Sequence, residues 1–200
     1  MTRGLDAWVR LLEGNRRFAA GNPTRTATSE AARAGLLNGQ SPLAAVLSCS
    51  DSRVPPEIVF DAGVGDLFVV RSAGHVLDPI AQGSLIYAIA HLDVPLVVIL
   101  GHSDCGAVGE AMRWARGSND HAEAESEEEA AIRPLVELIA PALAAVGMDS
   151  DVDDVARAHV DLTRKRLLSH PCVTHAAGRN APEVFGAFYD LGSGLVERIS

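Results

Sequence analysis

Apolar residues recur near helical spacing over residues 5–20, where Trp8, Leu11, Leu12 and Phe18 alternate with Arg10, Glu13, Arg16 and Arg17. That periodicity predicts an amphipathic helix, stopped by Gly21-Asn22-Pro23. A second short helix is expected over 29–37, with Ser29 at its N-cap. The pattern then changes. Residues 43–47, 67–70 and 96–100 are short runs that are apolar on both faces, as buried parallel strands must be. Helical patterning fills 79–92, 107–116, 127–146 and 152–169. Near the end, 184–189 and 195–199 flank Asp190-Leu191-Gly192-Ser193-Gly194, a turn signal that joins a terminal strand pair. The alternation of strand and helix predicts an α/β fold. The expectation is a central, mostly parallel sheet flanked by helices, with a helical arm at the N-terminus and an antiparallel strand at the C-terminal edge. No repeat or linker interrupts the chain, so one domain is expected over 1–200, with an arm of 1–38 and a core of 40–200.

Composition narrows the class. Two hundred residues, 48% of them hydrophobic, suffice for one buried core. The three cysteines cannot make a disulfide framework. The first residues carry no signal-peptide core, and no apolar run approaches a membrane span. A cytoplasmic protein with no membrane partner is expected. A net charge of −9 argues against nucleic acid as a partner. Six of the acidic residues crowd into Asp120, Glu123, Glu125, Glu127, Glu128 and Glu129, a run that reads as a solvated loop or helix start.

The candidate chemistry lies where the apolar runs end. The first ends at Ser48-Cys49-Ser50-Asp51, the second at Arg71-Ser72-Ala73-Gly74 and the third at Gly101-His102-Ser103-Asp104-Cys105-Gly106. In open parallel sheets, ligands bind beyond the carboxyl ends of the strands. His102 and Cys105 are spaced so that one turn presents both to one ion, and Cys49 would arrive from a neighbouring strand. Two thiolates and an imidazole suit zinc, and three protein ligands leave a fourth position open, as in catalytic sites. Spacing alone fits small buried core cysteines equally well. Asp51 and Arg53 add a reason for an open position. The carboxylate can accept a hydrogen bond from a zinc-bound hydroxide, and a bidentate guanidinium keeps it ionised and aimed.

The motifs Cys49-Ser50-Asp51-Ser52-Arg53-Val54-Pro55 and Gly101-His102-Ser103-Asp104-Cys105-Gly106 resemble those of a β-class carbonic anhydrase. The resemblance runs from Glu13-Gly14-Asn15-Arg17-Phe18 to Tyr189-Asp190-Leu191. It implies one zinc ion per subunit on Cys49, His102 and Cys105, with Asp51 and Arg53 as the catalytic dyad. It implies a substrate cleft with Gln40 donated by a neighbouring subunit, an apolar wall of Phe68, Ala73 and Tyr87, and the Gly106 N–H on a bicarbonate oxygen. It further implies a homodimer or larger homo-oligomer, with the N-terminal helix laid over the partner. Two positions depart from the pattern. Val46 stands where members with a regulatory bicarbonate pocket carry Trp, in a pocket to which Arg71 would belong, and His75 replaces a frequent Asn. His75 is expected as a surface or interface histidine, and Cys172, outside both motifs, as structural.

The implied reaction is the reversible hydration of carbon dioxide to bicarbonate and a proton, by attack of zinc-bound hydroxide. In a closed state Asp51 would itself become the fourth ligand. Two other readings stay open at the level of sequence: a hydrolase of carbon disulfide or carbonyl sulfide on the same zinc core, and a non-catalytic zinc module.

Overall fold

The computed structural model describes residues 2–24, 29–117, 126–175 and 181–200. The first helix, α1 (Arg3–Ala19), is capped by the Thr2 hydroxyl, which accepts from the Leu5 N–H. One stripe, comprising Gly4, Ala7, Trp8, Leu11, Gly14 and Asn15, is buried. The following α2 (Glu30–Gly35) is capped by Ser29 as expected and buries nothing. The alternating part then runs β1 (Ala44–Cys49), α3 (Pro56–Val59), β2 (Leu67–Ser72), a single 3₁₀ turn (Ala73–His75), α4 (Pro79–Leu92) and β3 (Leu96–His102). Four helices follow: α5 (Gly106–Gly117), α6 (Glu127–Val146), α7 (Val152–Leu168) and α8 (Pro171–His175). The described chain ends with β4 (Glu183–Tyr189) and β5 (Val196–Arg198).

The strands form one sheet in the order β2-β1-β3-β4-β5, parallel except for the β4–β5 pair. Period-2 alternation divides the apolar side chains between two faces. Ala44, Val46, Leu96, Val98 and Leu100 pack with Trp8 and Leu11 of α1 and with Val59 and Phe60. Ala45, Leu47, Val97 and Ile99 pack with Leu85 and Ala88 of α4 and with Val160 and Leu167 of α7. The chain leaves β1 for β2 on one side and reaches β3 on the other, so strand order reverses between β1 and β3. A crevice therefore opens where Cys49 and His102 end their strands.

Two expectations change here, the burial of β2 and the place of Cys172. The apolar stripe of α1 packs on this chain's own sheet, with Trp8 edge-on to Phe185 at 5.7 Å. At Gly14 a Cβ would lie 1.9 Å from the Phe60 carbonyl oxygen, so glycine permits the close crossing of α1 over the end of α3. Unlike β1 and β3, β2 is only half-buried, because it is the edge of the sheet. Cys172 is exposed on α8 and adds nothing to the core. Of the acidic run, Glu127, Glu128 and Glu129 form the first turn of α6, where Ser126 and Glu129 make a capping box. Asp120, Glu123 and Glu125 lie outside the described residues. No helix among the described residues is long and apolar enough to cross a membrane.

Candidate metal centre

Cys49 is the last residue of β1 and His102 the last of β3, while Cys105 immediately precedes α5. All three are buried, and their ligand atoms lie within 4.8 Å of one another. Among the described residues this is the one group of three or more such side chains able to hold an ion. His102 Nδ1 is 2.9 Å from the Ser103 carbonyl, which places the ring proton there. Its Nε2 is buried with no hydrogen-bond partner, an arrangement that costs free energy unless something accepts the lone pair. A metal ion does so. Two soft sulfurs and one imidazole fit zinc, with a tetrahedral position to spare.

The charges at the centre suit an ion. The Cys49 Sγ accepts the N–H groups of Gly74 at 3.3 Å and Asp51 at 3.4 Å. Gly74 lies at φ 64°, a conformation open to glycine, and a Cβ there would meet Ile139 at 2.7 Å. The Cys105 thiol hydrogen-bonds to Cys49, which pulls the Cys49 pKa down and pushes that of Cys105 up; burial reinforces the rise at Cys105. Burial alone would lower the His102 pKa, but the adjacent Cys49 sulfur outweighs it and raises the value. Cys105 therefore keeps a proton beside the ionised Cys49, and a bound metal ion would take that proton's place.

Asp51 stands beside the three ligands, its Oδ2 3.9 Å from His102 Nε2. Arg53 clasps it with Nε to Oδ1 at 3.0 Å and Nη2 to Oδ2 at 2.8 Å, and the Arg53 backbone N–H adds 2.9 Å to Oδ1. The guanidinium contact holds the Asp51 pKa down to about 2, against the opposing effect of partial burial. The carboxylate is therefore ionised and fixed, with one oxygen towards the site.

The expected cleft residues are distributed differently. Ala73 opens the 3₁₀ turn after β2, next to Gly74, and Gly106 opens α5 directly after Cys105. Gln40 is exposed and precedes β1, at the opposite end of that strand from Cys49. Phe68 pairs in register with Ala45, four residues before the Cys49–Ser72 level, which is roughly 13 Å along the strand. Tyr87 packs on Phe68 at 6.1 Å and is 48% exposed. Gln40 and Phe68 thus lie at a distance from this chain's own centre, and Tyr87 packs with Phe68.

Several contributing residues were not singled out from sequence for these roles. Arg71 donates from Nε to the Cys49 carbonyl at 3.0 Å and from Nη2 to the Asp51 carbonyl at 2.7 Å, so it braces the loop that carries both side chains. The glycine in Arg71-Ser72-Ala73-Gly74 was a legible signal, whereas its bond to Cys49 was not. His75 is wholly buried instead of lying at a surface, with its ring 4.7 Å from that of His159. Position 75 gave no hint of this, because the burying residue belongs to α7.

Comparison with known proteins agrees with this geometry. The carbonic anhydrase family profile matches residues 44–196. A protein of Mycobacterium tuberculosis called carbonic anhydrase 2 is 40% identical over 196 residues, covering 96% of this chain and 91% of its own length. A carbonic anhydrase of Mycolicibacterium smegmatis is 38% identical over 195 residues, with the same coverage. Among solved structures, a β-carbonic anhydrase of Aspergillus fumigatus superposes with a TM-score of 0.69 at 28% identity, over 96% of this chain and 90% of that one. The Cys-His-Cys group at the strand ends, the profile match and these relatives lead to one conclusion: the chain belongs to the β-class carbonic anhydrase family.

Proposed function

We propose that this protein catalyses the reversible hydration of carbon dioxide, with Cys49, His102 and Cys105 holding one zinc ion and Asp51 and Arg53 orienting the attacking water. The observation that carries the reading is Asp51, ionised and clasped by Arg53, with one oxygen 3.9 Å from the unpartnered His102 Nε2. A purely structural ion needs no carboxylate beside it. When bound, zinc acidifies a coordinated water so that a hydroxide nucleophile is available near neutral pH. The rest belongs to the chain. Asp51 Oδ2 accepts a hydrogen bond from the nucleophile and turns its lone pair towards the carbon of the substrate. Arg53 keeps that carboxylate ionised and off the ligand set. The N–H groups of Gly74 and Asp51 fix the Cys49 sulfur, and the Ser103 carbonyl fixes the His102 ring. The Gly106 N–H, at the start of α5, is the donor assigned to a bicarbonate oxygen.

The working unit in this reading is a homodimer. Gln40 and Phe68 lie at a distance from their own centre, Tyr87 packs on Phe68, and the chain leaves a half-buried edge strand and the exposed Leu37 and Ile80, at 84% and 79%, as uncovered surface. A second copy would cover that surface and receive these three side chains in its cleft. Stopped-flow hydration of carbon dioxide tests the activity. Turnover should vanish with a zinc chelator and return with zinc, and no zinc-dependent turnover would overturn the proposal. Sedimentation tests the dimer, since a monomer with full activity would exclude shared clefts.

A further inference from the structure

Asp104 stands between two of the ligands, His102 and Cys105, with its backbone at φ 53°. Aspartate enters this left-handed region more readily than most non-glycine residues, though still infrequently, and here several contacts surround it. Its N–H donates to Asp153 Oδ1 at 2.8 Å. Its own Oδ2 accepts from Arg53 Nη1 at 3.2 Å, and its carbonyl accepts from Arg53 Nη2 at 3.1 Å. Arg53 gives its other edge to Asp51. One guanidinium is therefore held between two aspartates, and the outer one is held from α7.

The Arg53 side chain is 46% exposed and that of Asp104 is 83% exposed. Long exposed side chains keep one rotamer when both ends are tied, and a surface ion pair alone does little to tie them. It is in this left-handed turn that the Asp104 carboxylate reaches Arg53. Asp153 is well placed to enforce this. It lies in the first turn of α7, whose Val155, Ala156 and Val160 are fully buried, so it rides on a rigid element.

We propose that Asp153 is a positioning residue for this active site. By accepting the Asp104 N–H it keeps the 102–105 turn in the shape that supports Arg53, and Arg53 in turn aims Asp51. The proposal rests on Asp51 and Arg53 being the water-orienting pair.

The test compares zinc-loaded wild type with Asp153→Ala, Asp153→Asn and Asp154→Ala. Asparagine keeps an oxygen that can accept the same bond, while Asp154→Ala removes an equivalent first-turn charge without touching Asp104. Losing the charge-assisted bond should lower kcat/KM for carbon dioxide hydration about tenfold in Asp153→Ala. Asp153→Asn should stay within about threefold of wild type, and Asp154→Ala should match it. Crystal structures of wild type and Asp153→Ala supply a second readout. In Asp153→Ala, Asp104 should leave the left-handed region and Arg53 should lose its outer contact. Equal losses in Asp153→Ala and Asp154→Ala would overturn the proposal, as would an Asp153→Ala enzyme with wild-type kcat/KM. If wild type hydrates no carbon dioxide, the functional reading fails. The crystal structures still decide the positioning, and an unchanged Asp104 turn would refute it.

Discussion

The buried pair His75 and His159 makes the stability of this protein depend on pH. His159 is 3% exposed, and burial lowers its pKa to about 4. The His75 pKa is also lowered, by burial first and then by the neighbouring His159 and His102. Both rings are neutral in the folded protein near neutrality, while in the unfolded chain each takes up a proton as pH falls through about 6.5. The unfolded state then binds more protons than the folded state, so stability falls with pH. The contribution is intact above about pH 7.5 and is lost between about 6.5 and 4 for His159. At about 1.4 kcal/mol per pH unit, His159 alone removes about 2 kcal/mol between pH 7 and 5. That is a large share of the roughly 5–15 kcal/mol typical of a domain. The assay is urea unfolding of the zinc-loaded protein at pH 7 and 5, with His159→Gln measured alongside at the same concentration. Acid release of zinc affects both proteins, so the difference between them isolates the histidine. With an m-value of about 2 kcal/mol/M, the midpoint of the variant should fall about 1 M less than that of wild type. Equal shifts in the two proteins would refute the reasoning.

Removing the Arg53 guanidinium frees Asp51, so Arg53→Ala should cost about a hundredfold in kcat/KM and let the carboxylate turn onto the metal. A variant structure with Asp51 unmoved would contradict this. Trp8→Ala removes a buried ring that packs edge-on against Phe185 and should destabilise by about 3–5 kcal/mol in chemical unfolding, leaving Cys49, His102 and Cys105 in place. Gly14→Ala drives a methyl into the Phe60 carbonyl and should cost about 1–3 kcal/mol, because backbone cannot yield as a side chain would. A variant that melts with wild type would remove the close crossing from the argument. Because two thiolates cancel the formal charge of the zinc ion, hydration should accelerate from pH 6 to 9, and a flat profile would exclude that charge argument.

Long elements were legible because each carries its own periodicity. The helices over 79–92 and 127–146 fall where the pattern put them, and Ser29 caps α2. The Cys49-His102-Cys105 group and the Asp51–Arg53 ion pair were legible for a different reason: they fall in two short segments at strand ends, where topology concentrates chemistry. Elements of three to five residues, α3, α8 and the 3₁₀ turn, are too short to show a period. The half-burial of β2 was hidden because an apolar run states only that a strand is apolar, while its place at the sheet edge is set by strand order. His75 and Asp153 were hidden because their partners lie far along the chain, in the case of Asp153 by 49 residues. Gln40, Phe68 and Tyr87 were expected in the cleft from resemblance alone, and in the proposed reading they serve the centre of a second molecule.

Asn15, buried in α1, ties the first helix to the segment that leads into β5. Its amide N–H groups reach the Val59 and Gly194 carbonyls at 3.1 and 2.9 Å, and its oxygen accepts from the Val196 N–H at 2.8 Å. Two of these partners lie 179 and 181 residues further on. At roughly 5–20 residues per second, they emerge from the ribosome roughly 10 to 35 s after Asn15. Through that interval the first helix can form its turns, but two of the contacts that satisfy its buried amide do not yet exist. The docking of α1 is therefore completed only after β5 is made, and a nascent chain must keep Trp8 and Leu11 from wrong partners until Val196 has emerged.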